Sequence, residues 1–259
     1  MKNNNLFTNA DHLSNLKALK NLPVLYTNQG SDFIQQYRQV LDCHIPNTPY
    51  SGNGRLGFYY QWLIQRAIAE STQHQLVAEE LQLISDKRTL GAIDFLINHQ
   101  DALEHWEIAV KFYFHIDGQW LGPNATDSLD KKVSRMANHQ LTLCQQDAYR
   151  QQYADSYGIP AKACGVIQGM LYRHISEARP TLPVWCEDTA LQGIWAYRHE
   201  VDTTKWRVLT KANWLGLPPF DACPTVPEVL THPIQCINQM GERLFLVTPD
   251  WPNEHKKSR

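Results

Sequence analysis

From His105 to His115 the residues alternate strictly between two characters. On an extended backbone Trp106, Ile108, Val110, Phe112 and Phe114 fall on one side, and Glu107, Ala109, Lys111, Tyr113 and His115 on the other. A strand with one wholly apolar face has to lie on a core, so this stretch fixes a buried sheet. The run before it, Thr89–Ile97, is a second strand whose apolar residues enclose a single acid, Asp94. Turn-forming residues flank that run, Ser85-Asp86-Lys87-Arg88 before it and Asn98-His99-Gln100-Asp101 after it. Gln75–Ile84 reads as an earlier strand around Glu79-Glu80, and the three together form an antiparallel meander.

An acid in one strand, with an acid and a lysine on one face of the next, is a layout suited to metal-dependent phosphodiester chemistry. Oxygen ligands and water hold a hard cation such as magnesium, which binds phosphate and acidifies a water. A lysine beside that water orients it or stabilises the developing charge. Glu107 and Lys111 are four residues apart, roughly 13 Å along an extended backbone, a gap that long side chains narrow. Whichever of Glu79 and Glu80 shares the face of Asp94 adds a third carboxylate. The plainer reading of each charge is a solvated strand face.

Gly91-Ala92-Ile93-Asp94-Phe95 followed by Glu107-x-x-x-Lys111 resembles the core of the PD-(D/E)XK nuclease superfamily. More widely, the chain resembles the bacterial family of domain of unknown function 1853. The matching segments are Arg55–Tyr60, Glu107–Tyr113, Leu121–Asn124, Asp127–Asp130 and Arg243–Val247. The resemblance implies an α/β restriction-endonuclease-like core of helix, three-stranded antiparallel meander, helix and returning strand. It implies magnesium or manganese as cofactor, Asp94 and Glu107 as metal ligands, and Asp94, Glu107 and Lys111 as catalytic residues. Two positions depart from that pattern. Ala109 occupies the usual lysine position of the acid-x-lysine motif, with Lys111 two residues further on the same face. Gln61 stands where the family's helix carries a glutamate, and it hydrogen-bonds without supplying charge.

Along the rest of the chain, helices are expected near Leu13–Leu22 and Asp32–Val40, and from after Gly54 to about Glu70. A further helix is expected from an Asp127 N-cap to about Tyr149. On it Lys131, Arg135 and His139 recur at i, i+4 and i+8, with Lys132 adjacent, forming a basic stripe able to track phosphates. Lys131, Lys132 and Arg135, with Gln140, are the candidate nucleic-acid contacts. Val166–Tyr172 is the returning strand, and Gly241–Val247 a late strand that pairs back toward the core. The organisation is then 1–50 N-terminal helical segment, 51–175 nuclease-like core and 176–259 Trp/Pro-rich C-terminal β extension packed on the core. The tail Glu254–Arg259 is expected to fray.

Composition excludes some function classes. A net charge of −2 gives no global pull toward nucleic acid, so such binding needs a local patch. The six cysteines show no CxxC spacing, which argues against a structural zinc site or a disulfide framework. No apolar run approaches the roughly 20 residues of a membrane span, and the N-terminus lacks a signal-peptide pattern, so a cytoplasmic protein is expected. Two readings remain: a metal-dependent nuclease acting on DNA or RNA, or a catalytically inactive nuclease-fold module that binds nucleic acid or a protein partner.

Overall fold

Three two-residue turns organise the central sheet in the computed structural model, which describes Phe7, residues 11–46 and residues 48–253. The elements begin with α1 (His12–Asn21), β1 (Val24–Thr27), α2 (Ser31–Val40) and α3 (Leu56–Ala69). The meander follows as β2 (His74–Ser85), β3 (Arg88–His99), β4 (Ala102–Ile116) and a short β5 (Gln119–Leu121). Both central residues of each connecting turn have positive φ: Asp86 and Lys87, Gln100 and Asp101, Asp117 and Gly118. That conformation matches the twist of a tight hairpin, and for the first two turns the polar residues read as turn-forming in the sequence supply it. The residues at 254–259, where a frayed tail is expected, lie outside the described residues.

After β5 come α4 (Leu129–Asn138), a 3-10 turn at Gln140–Gln145, α5 (Asp147–Gln152), α6 (Ala154–Tyr157) and β6 (Lys162–His174). The last strands are β7 (Leu191–Tyr197), β8 (Arg207–Val208), β9 (Ile234–Ile237) and β10 (Arg243–Val247). They form a ten-stranded sheet in the order β2-β3-β4-β6-β7-β10-β9-β8, with β1 on β6 and β5 on β4. Most neighbours are antiparallel; β4–β6, β6–β7 and β7–β10 are parallel. The fold is mixed α/β, and the C-terminal strands continue the same sheet through β7. The late strand meets the central strands through β7 rather than directly.

The alternation in β4 sorts its side chains between two cores. Trp106, Ile108, Val110, Phe112 and Phe114 join α2 and α3 residues such as Phe33, Tyr37, Tyr60 and Leu63, together with Phe245 and Trp251. On the other side Tyr113, Ile167 and Leu171 pack with Leu129, Met136 and Leu141 from α4 and the segment after it. Gly169 in β6 lies opposite Lys111 in β4, and a Cβ there would stand 1.8 Å from the Lys111 carbonyl oxygen. Only glycine lets the two strands approach this closely.

The expected helix from Asp127 to Tyr149 is shorter and broken. Ser128 is the N-cap, its hydroxyl accepting the Lys131 N–H, which leaves the Asp127 carboxylate for other partners. The helix stops at His139, whose backbone leaves the helical region and whose Nε2 lies 2.9 Å from the Leu90 carbonyl oxygen. That contact pins the break to β3. All six cysteines are free, and no helix among the described residues is long and apolar enough to cross a membrane.

Candidate active site

The strands β3 and β4 separate at the two acids. Their pairing ends at Phe95 opposite Trp106, and β5 meets β4 only from Phe114 onward. In the fork between, side chains replace the missing ladder bonds. Asp94 Oδ2 accepts the N–H of Ile108 at 2.9 Å, and Glu107 Oε1 accepts the N–H of Asp94 at 3.3 Å. Each acid is therefore held by the other's strand.

Glu107 is fully buried and takes two further contacts. His105 Nε2 lies 2.9 Å from Oε1, and the Gln140 amide donates to Oε2 at 2.6 Å. Burial, opposed by these hydrogen bonds and by the Lys132 charge, pushes the Glu107 carboxyl up to about 8. Burial, with the Glu107 charge beside it, raises Asp94 well above the usual carboxylate range. His105 is pushed down to about 4 by burial, so its imidazole is neutral, and its buried Nδ1 has no partner. Ionisation of both acids is thus disfavoured by burial, and a positive charge placed beside them would offset that cost.

The remaining sequence-predicted residues divide into those that reach this pair and those that do not. Lys111 is engaged by another acid: its Nζ donates to Asp127 at 2.7 Å, and Tyr113 donates to the same oxygen. Because Ser128 takes the N-cap, the Asp127 carboxylate is left to pair with the Lys111 ammonium. Lys132 connects to Glu107 through Gln140. Instead of lying on an exposed stripe, it is half-buried and donates through Nζ to Gln140 Oε1 at 2.8 Å. Burial and the nearby Lys111 charge lower its pKa, while Asp94 and Glu107 act in the opposite direction. Gln140 accordingly bridges the lysine and the acid. Lys131 and Arg135 are exposed, as a phosphate-tracking pair requires, whereas His139 turns inward to Leu90.

Glu80 supplies charge where the α3 position 61 lacks it. It stands across from Asp94 in the β2–β3 register, has φ +51°, and accepts a hydrogen bond from the Gln61 amide. Its charge raises both Asp94 and Glu107. Among the described residues, however, no three His, Cys, Asp or Glu side chains form a cation cage. A magnesium-type ion needs only one or two carboxylates, completing its shell with water and substrate oxygens.

A second buried polar cluster, unsuspected from the sequence, lies toward the β3–β4 turn. Glu104 accepts from Trp106 Nε1 at 2.7 Å and pairs with Lys162 at 3.0 Å. His99 approaches it at 3.2 Å, and Gln36 touches His74, His99 and Glu104. The His74 and His99 rings are stacked 4.4 Å apart and nearly parallel. A single cation cannot lie in both ring planes, so this is a hydrogen-bonded hub and not a metal centre. A cavity of about 530 Å³, lined by Gln36, Gln73, His99, Gln100, Glu104 and Lys162 among others, opens beside it. The legible signal was Glu104 itself, an acid on the same strand face as Trp106 and Ile108.

The chain is thus a mixed α/β protein whose central sheet forks at a buried Glu107 and a half-buried Asp94. The model for the family described as Domain of unknown function (DUF1853) matches residues 28–242, and the chain belongs to that family. No curated protein and no solved structure matches it significantly.

Proposed function

We propose that the chain is a metal-dependent nuclease of the PD-(D/E)XK kind, hydrolysing phosphodiester bonds in DNA or RNA. The observation that carries this reading is the Asp94–Glu107 pair. Two adjacent acids are held in a desolvated fork where their ionised forms are unfavourable without a cation. Magnesium or manganese bound there supplies Lewis acidity toward a phosphate oxygen and the attacking water. Asp94 and Glu107 hold it, and the backbone N–H groups of Ile108 and Asp94 keep the two carboxyls in register. Lys131 and Arg135, exposed on α4, lie in position to follow the phosphate backbone.

A second reading is favoured by one specific observation. Position 109 is alanine, and the Lys111 ammonium pairs with Asp127, so the acid-x-lysine unit is incomplete. On that reading the chain binds nucleic acid or a partner without cleaving. The deciding experiment incubates purified protein with single- and double-stranded DNA and RNA, with magnesium or manganese. Cleavage that Asp94→Asn abolishes establishes the nuclease. Cation-independent binding with no cleavage of any substrate establishes the module.

A further inference from the structure

The geometry points to Lys132, not Lys111, as the lysine that acts on the substrate phosphate, with the Gln140 amide occupying the place of a cation and a phosphate oxygen in the resting site. The inference rests on the nuclease reading and names which residues of that site meet the substrate. Gln140 contributes two atoms of opposite character. Its Nε2, a donor with partial positive charge, lies 2.6 Å from Glu107 Oε2, where a cation would sit. Its Oε1, an acceptor, lies 2.8 Å from Lys132 Nζ, where a phosphate oxygen would sit. One amide therefore mimics a cation joined to a phosphate oxygen, held between an acid and a lysine.

Other cations near the site are less suited to this part. Lys111 is neutralised locally by Asp127, and Lys131 and Arg135 are exposed on the outer side of α4. Lys132 is half-buried, its only side-chain hydrogen bond among the described residues is the one to Gln140, and its charge is felt by both Asp94 and Glu107. When substrate enters, the amide swings aside and the ammonium donates to a nonbridging phosphate oxygen. In the hydrolysis the oxygen of water bonds to phosphorus and the ester P–O bond breaks. The water proton passes to the departing oxygen or to solvent. Lys132 neither gains nor loses atoms; it offsets charge that grows on the phosphate. Gln140 is a positioning residue, since it leaves before the chemistry.

The test compares Lys132→Ala, Lys132→Arg, Lys111→Ala and Gln140→Ala in the full chain. Three readouts are used: Mn²⁺ affinity by calorimetry, single-turnover cleavage of an oligonucleotide, and Ca²⁺-supported binding of a phosphorothioate oligonucleotide. Lys132→Ala is expected to slow cleavage on the order of 10²–10³-fold and weaken oligonucleotide binding, leaving Mn²⁺ affinity within about twofold of wild type. Lys132→Arg should keep oligonucleotide binding and recover part of the rate. Lys111→Ala should change cleavage only several-fold. Gln140→Ala should tighten Mn²⁺ binding, because a competitor for Glu107 is gone; a merely structural residue would not do this. If the wild type binds but does not cleave, and Lys132→Ala alone lowers that binding, the nuclease reading fails and the lysine assignment stands. A large loss in Lys111→Ala with a near-normal Lys132→Ala overturns the assignment, as does weakened Mn²⁺ binding in Gln140→Ala. Wild-type protein that neither binds nor cleaves overturns both.

Discussion

The Asp94 backbone N–H donates to the Glu107 carboxyl at 3.3 Å, so the second acid of the pair is positioned by the strand that carries the first. Because β3 and β4 stop pairing there, this contact and its counterpart from Ile108 to Asp94 are what hold the fork in register.

The pair costs stability. An acid whose folded pKa lies above its unfolded value keeps its proton in the fold while the unfolded chain ionises. For Glu107 the folded state is therefore progressively disfavoured as pH rises from 4.5 to about 8, and the full penalty applies above that. Glu107→Gln removes the ionisation while preserving shape. The variant should melt several degrees above wild type at pH 8, taking ~2–4 °C per kcal/mol for a chain of this size, and about equal to it at pH 4. Scanning calorimetry at both pH values checks this; a variant less stable at pH 8 would mean that Glu107 is ionised in the fold.

A cation relieves the same penalty. Manganese should raise the melting temperature of the wild type more at pH 8 than at pH 6, since the acids must lose protons to bind it. At a concentration of 100 Kd the gain is ~2.7 kcal/mol. Asp94→Asn should abolish the shift. An equal shift in the variant would place the ion elsewhere.

The meander, its turns and the two faces of β4 were legible because strand periodicity and turn chemistry are local properties. Asp94 and Glu107 were legible for the same reason, as acids set within apolar runs. The Lys132–Gln140–Glu107 chain of contacts was not. On a helix drawn to Tyr149 Lys132 falls beside an outward stripe, and only the break at His139 turns Gln140 back between Lys132 and Glu107. The break depends on a contact with Leu90, 49 residues away, and no local pattern encodes it. The Lys111–Asp127 pair was not legible either, because Asp127 read equally well as an N-cap; Ser128 takes that part instead.

Nucleic-acid affinity should rest on few phosphate contacts. Lys131 and Arg135 are exposed and pair with no acid among the described residues, so replacing both by alanine should flatten the plot of log K against log salt. The expected change is ~1.4–1.8 in slope, from ~0.7–0.9 per phosphate contact. Fluorescence anisotropy with a labelled oligonucleotide at several salt concentrations measures it. An unchanged slope would move the binding surface away from α4.

Glu104 should behave opposite to Glu107, although the two acids share a strand. Both are buried, but Glu104 accepts from Trp106 and pairs with Lys162, and these contacts with His99 outweigh desolvation and lower its pKa below 4.5. Its ionised form therefore stabilises the fold, with the contribution present above the unfolded pKa and lost as pH falls through the folded one. Glu104→Gln keeps the shape but withdraws the charge from Lys162 and the acceptor from Trp106 Nε1. It should destabilise the protein at pH 7 by ~2 kcal/mol, within the range for hydrogen bonds to charged groups. The difference from wild type should shrink as pH drops below 4.5, where the wild-type acid is also losing its charge. Urea melts of Glu104→Gln and Glu107→Gln at pH 4 and pH 8 provide the comparison: the first variant should lose ground as pH rises, and the second should gain it. If both shift in the same direction, the contacts around Glu104 do not outweigh its burial.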